Sequence, residues 1–192
     1  MSAVGLFAST PPIGPASALF AGLTVAADVL VVAGIALLLG SRASAGLRIG
    51  RSRLAPLALP AAAAVAVTAT AGSLWFSEVA GLRPCRLCWF QRTEMYPLAV
   101  LLVIAALRRD RSVAWYAVPL AAIGAAVSTY HYVLEWNPNL DSGSCDPLAP
   151  CTLVYFRRLG FMSLPFMALS GFLAIIVLAL VAVRHPTPRG TP

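Results

Sequence analysis

Long apolar runs, broken by short polar segments, organise the whole chain. Five of them approach or exceed the roughly 20 helical residues needed to cross a hydrocarbon core. The clearest cover 18–39, 57–76 and 161–183. Two more mixed runs, 89–107 and 113–134, flank the tight basic turn RRDRS at 108–112, which makes them an antiparallel helical hairpin. The runs are continuous and rich in Ala, Leu and Val, whereas spans of a membrane β-barrel are segments of about ten residues with alternating polarity. The pattern therefore predicts an all-α integral membrane protein: a four-helix transmembrane bundle over 57–183, preceded by one extra N-terminal transmembrane helix over 18–39.

Composition agrees with this. Hydrophobic residues make up 59% of the 192 and charged residues 11%, too little polar surface to cover a globule in water. The formal charge of +7 is carried by Arg alone, since the chain has no Lys. In a soluble chain such a balance would suggest nucleic acid. Here the placement of the arginines matters more, and it points to the lipid bilayer as partner and to no nucleic acid. Arg42, Arg48, Arg51 and Arg53 follow the first run, Arg108, Arg109 and Arg111 occupy the hairpin turn, and Arg184 and Arg189 follow the last run. All three segments fall on one side of a five-span bundle, and the positive-inside rule makes that side cytoplasmic. The uncharged segment 1–17 is then exterior and the tail 184–192 cytoplasmic, an N-out/C-in topology in the cell membrane. No basic region precedes the first apolar core, so a cleaved signal peptide is not expected. The Gly-, Ser- and Arg-rich stretch 40–56 reads as a cytoplasmic linker.

The four cysteines, Cys85, Cys88, Cys145 and Cys151, all lie in the two remaining loops, on the extracytoplasmic side where disulfides persist. None lies within an apolar run, so they are not simply small hydrophobes. Three readings stand: two structural disulfides, a four-thiolate zinc site, or a relay in which one pair passes electrons to the other by thiolate attack on a disulfide. Cys88 lies where a helix from Trp89 would begin, and helix-terminal N–H groups with Arg83, Arg86 and Arg92 nearby favour a thiolate there. Arg92 falls one turn further along the same face, within reach of an acceptor anchored in lipid. In the second loop, Pro138, Pro147 and Pro150 forbid a long helix, and TLVYFRRLGF from 152 suits a short interfacial helix.

The stretch LWFSEVAGLRPCRLCWFQRTEMYPLAVLL at 74–102 closely resembles the DsbB family of disulfide-generating membrane proteins, in particular its BdbC-like branch. It shares C-x-L-C, an aromatic pair, Gln-Arg, and an Arg four residues after the second cysteine. YHYVLEW at 130–136, a cysteine pair in the loop that follows, and GFMSLPFMALSGFLA at 160–174 continue the likeness in the same order. The resemblance implies a membrane thiol:quinone oxidoreductase that reoxidises a soluble thioredoxin-fold, DsbA-like dithiol carrier and passes two electrons to a menaquinone or ubiquinone. By position, Cys88 would engage the quinone with Cys85 as its disulfide partner. Cys145 would form the mixed disulfide with the carrier, and Cys151 would exchange with Cys85. Arg92 would sit at the quinone head group. No metal is required. The second pair is separated by only five residues, where the better-studied branch has a much longer loop, and the first helix lies outside the four-helix pattern.

Several further residues have two readings each. His131 could donate to a quinone oxygen or relay a proton, or could be a structural histidine. Trp89, Phe90 and Tyr96 read as interface anchors first and quinone-stacking groups second. Asp28, deep in the first run, is a functional hint by its position alone, and Pro97 could open room for a flat ligand beside its helix. A vitamin K epoxide reductase-like protein also couples a membrane C-x-x-C to quinone, but here the motif precedes its helix and the second pair. A membrane scaffold with two inert disulfides is the non-enzymatic alternative.

Overall fold

A computed structural model describes residues 13–141 and 145–183. It contains five helices long and apolar enough to cross a membrane, and no strand among the described residues. They are α1 (Ile13–Ala43), α2 (Ala45–Leu74), α3 (Arg86–Arg108), α4 (Ala114–Trp136) and α5 (Leu164–Ala182). A π-helical turn, Trp75–Val79, prolongs α2. The all-helical expectation is met. Helices α2, α3, α4 and α5 form a ring in which each packs on two neighbours, and α1 lies outside it against α5 and α2.

Small residues let the helices approach. Ala58, Ala62 and Ala66 of α2 and Ala117 and Ala121 of α4 are buried at helical spacing. One tight approach is at Gly124 of α4, where an added Cβ would stand 2.3 Å from the ring of Phe172, itself fully buried on α5. Both partners are locked between helices, so neither can yield cheaply. Gly124→Ala is expected to destabilise the bundle by about 1–3 kcal/mol, read as a lower midpoint of thermal unfolding in detergent. An unchanged midpoint would show that α4 and α5 have slack there.

Two stretches differ from their sequence-based reading. The segment 40–56, expected as a linker, is helical apart from Ser44, and α2 runs on through Pro56 and Pro60. Packing supplies the reason: the Arg51 guanidinium donates to the carbonyls of Leu180 (2.8 Å) and Val183 (2.9 Å), capping the end of α5. The segment 152–160, expected as an interfacial helix, is irregular. Leu159 and Gly160 adopt φ values of 52° and 81°, reversing the chain so that Arg158 and Met162 exchange backbone hydrogen bonds. This hairpin lies at the cysteine-bearing end, with Phe156 stacked 5.5 Å from Phe76. Arg158 donates to Ser17 Oγ (2.9 and 2.8 Å) and to the Gly14 carbonyl in the first turns of α1.

Candidate active site

Pro84 and Cys85 lead directly into α3, and Cys85 is its N-cap: in extended backbone, its sulfur accepts the N–H of Cys88 at 3.3 Å. The helix thus starts at Arg86, three residues earlier than the sequence suggested. The capping sulfur is Cys85, while Cys88 is the third helical residue. Both are free thiols, with their sulfurs 2.8 Å apart, so a displacement below about 1 Å would bring them to bonding distance. Cys145 and Cys151 form a disulfide. While bonded to each other they offer no thiolates, which removes the four-thiolate zinc site. The ligand atoms of Cys85, Cys88 and His131 do lie within 4.8 Å of one another, as a soft metal ion would require.

The two pairs meet. Cys85, Leu134 and Cys151 form one buried cluster against which Leu87, Cys88 and Cys145 pack. A small cavity of about 20 Å³ beside it, room for about one water, is bordered by Cys85, Cys88, His131, Glu135 and Tyr155. Tyr155 also ties the two cysteine-bearing loops together, its hydroxyl donating to the Arg83 carbonyl at 2.6 Å.

His131 stands behind Cys85, with Nε2 3.6 Å from the sulfur. The Gln91 amide, 3.5 Å from Nδ1, holds the ring in that direction. The histidine is buried and borders the small cavity, not the larger one described below. In the reduced pair Cys85 is the acidic thiol. Donation from the Cys88 side chain, then the hydrogen bond and charge of His131, outweigh burial and draw its pKa below that of a free thiol. Because the shift is downward, the thiolate and the stabilisation it gives the reduced pair persist above the lowered pKa and are lost as pH falls through it. Ultraviolet thiolate absorbance is expected to survive acidification below the pH at which a free thiol protonates. In His131→Phe the loss should move toward neutral pH, and an unchanged titration would detach His131 from this role.

A second cavity of about 340 Å³, within the usual range for small-molecule sites, opens on the other side of Cys88. Its polar end presents Cys88, Gln91, Arg92, Ser73, Ser77 and Arg83, and most of the remaining wall is apolar side chains of α1, α2 and α5. Arg92 is buried, with Nε donating to Ser73 Oγ (3.0 Å) and a terminal nitrogen to the Ser73 carbonyl (2.9 Å). Trp89 does not border this cavity; it is half exposed, and its ring lies 5.0 Å from the Arg92 guanidinium. Phe90, Tyr96, Pro97 and Asp28 border neither cavity. The structure adds Ser73, Gln91, Glu135 and Tyr155 to the site. Gln91 and Glu135 lie inside the quoted motifs, Glu135 one helical turn from His131, but nothing in the sequence flags Ser73 or Tyr155.

A half-buried disulfide packed against a reduced dithiol at one end of a transmembrane bundle defines a membrane thiol–disulfide oxidoreductase. The family model "Disulfide bond formation protein DsbB" matches residues 52–182, and the chain belongs to that family. It is 39% identical over 137 residues to "Probable disulfide formation protein C 1" of Bacillus anthracis, an alignment covering 71% of this chain and 99% of the relative. To "Disulfide bond formation protein C" of Bacillus subtilis (strain 168) it is 42% identical over 114 residues, covering 59% and 83%. To "Probable disulfide formation protein" of Oceanobacillus iheyensis it is 43% identical over 122 residues, covering 62% and 84%. No solved structure matches. The protein is a multi-pass, disulfide-generating membrane oxidoreductase.

Proposed function

We propose that the protein oxidises a thioredoxin-fold, DsbA-like dithiol carrier outside the cell membrane and delivers the two electrons to a membrane quinone. The observation that carries this reading is the position of Cys88, which packs against the buried cluster of Cys85 and Cys151 and also borders the large cavity. The cavity suits a quinone: a buried cation and an amide at one end meet carbonyl oxygens, and the apolar remainder meets an isoprenoid tail. A bound quinone would supply the two-electron, two-proton sink.

The chain's own residues supply the relay. A carrier thiolate attacks Cys145 and forms a mixed disulfide, releasing Cys151 as thiolate. The second carrier thiol then resolves it, so the carrier leaves oxidised and Cys145 and Cys151 are left as thiols. Cys151 attacks Cys85 in the Cys85–Cys88 disulfide, and Cys145 closes on Cys151. The disulfide has then moved to the Cys145–Cys151 pair and both electrons to Cys85 and Cys88, the distribution found in the structure. Cys85 leaves readily, because a low-pKa thiol is a good leaving group and His131 faces its sulfur. Arg92, fixed by Ser73, orients the acceptor.

Trapping each cysteine's redox state in membranes tests the reading. Quinone depletion should accumulate reduced Cys85 and Cys88, and quinone addition should restore their disulfide within a turnover. Cysteines that ignore the quinone pool would be inert staples, and the reading would fall.

A further inference from the structure

Helix α1 lies outside the family's matched region, 52–182. The Bacillus anthracis relative is covered over 99% of its length by 137 residues of this chain, which leaves it no stretch for a further 31-residue helix. Yet α1 is a wall of the large cavity. Phe20, Leu23, Thr24, Ala27 and Leu30, spaced as one helical face, border it opposite Ala64, Val65, Thr68 and Gly72 of α2. The packing at the polar end is close: a Cβ on Gly72 would stand 2.4 Å from the Phe20 ring, which also lies 5.4 Å from that of Phe76. From Phe20 to Leu30 the wall runs about 15 Å along the helix. Arg92 and Cys88 stand at one end, and nothing but apolar or small side chains follows at the depth of Leu30 and Ala64.

We infer that α1 is a selectivity wall for the isoprenoid tail of the quinone, turning a cleft between α2 and α5 that would open onto lipid into a channel of fixed width. The inference rests on the quinone reading proposed above. The head group, held at Arg92, needs nothing from α1 beyond Phe20, whereas a tail leading away from it passes Leu23, Ala27 and Leu30. Discrimination between tails should therefore depend on α1 side chains, while binding of a head group alone should not.

Binding, measured by quenching of intrinsic tryptophan fluorescence in the full-length protein, separates the two. Ala27→Phe narrows the channel and is expected to weaken binding of a long-tailed quinone by tenfold or more, leaving a tail-less quinone within twofold of wild type. Val32→Phe, on a lipid-exposed position of the same helix that does not border the cavity, should match wild type for both. In the unaltered protein, a quinone carrying a photoreactive azide on its tail should label α1 peptides and be displaced by unlabelled quinone. The inference is overturned if Ala27→Phe binds the tailed quinone normally, if it weakens both quinones equally, or if the label falls only on α2–α5. Failure of wild type to bind either quinone would instead sink the quinone reading itself.

Discussion

Cys88→Ser is expected to reduce dithiol-driven quinone reduction on the order of a thousandfold or more, since removal of a reacting nucleophile has effects of that size. Of the four cysteines it alone borders the large cavity. Its sulfur is also the one 2.8 Å from Cys85, so serine breaks the inner pair and isolates it from any acceptor in the same stroke. The outer pair keeps its chemistry. The variant should still form a mixed disulfide with the carrier through Cys145, and one equivalent of carrier should be oxidised before the reaction stops. Stopped turnover with an intact single exchange distinguishes a broken relay from a misfolded protein. Full turnover by the serine variant would show that electrons leave by another route.

Arg92→Ala should raise the KM for quinone by about ten- to a hundredfold, the equivalent of a lost charge-assisted hydrogen bond of about 1.5–3 kcal/mol. The KM for the carrier should stay unchanged. Arginine is required by shape as well as charge: two of its nitrogens are committed to Ser73 Oγ and the Ser73 carbonyl, which orients the rest of the planar group. Lysine can keep the charge but not that fork, so Arg92→Lys should fall between wild type and alanine. A parallel rise in both KM values would reduce Arg92 to a strut between α2 and α3.

How far the sequence could be read depended on what each feature needs. Five apolar runs reveal five spans because crossing lipid demands length and hydropathy, both local properties. The helicity of 40–56 was hidden because Gly, Ser and Pro argue for irregular chain, and what overrides them is the docking of Arg51 on α5, over a hundred residues away in sequence. The cysteines were legible as chemistry through their number and placement. Which sulfur caps α3 was not, because a start at Arg86 instead of Trp89 is a shift of under one turn and moves the cap from Cys88 to Cys85. Motif likeness pointed to Arg92 and left His131 with two readings, and packing then separated them onto opposite sides of the dithiol. Ser73 and Tyr155 owe their places to contacts between distant segments, which no local pattern announces.

The bond from Arg158 to Ser17 and Gly14 joins positions 141 and 144 apart in sequence. During synthesis the acceptors emerge long before their donor, so the hairpin after Cys151 can be latched only when the fifth span is about to enter the bilayer. A chain shortened to the family's common core would make the same cysteines but lose this latch, and would leave the Arg158 guanidinium without its acceptors in the loop that follows Cys151. The first helix therefore stands ready before the last outer loop is made, and the latch closes only when Arg158 arrives.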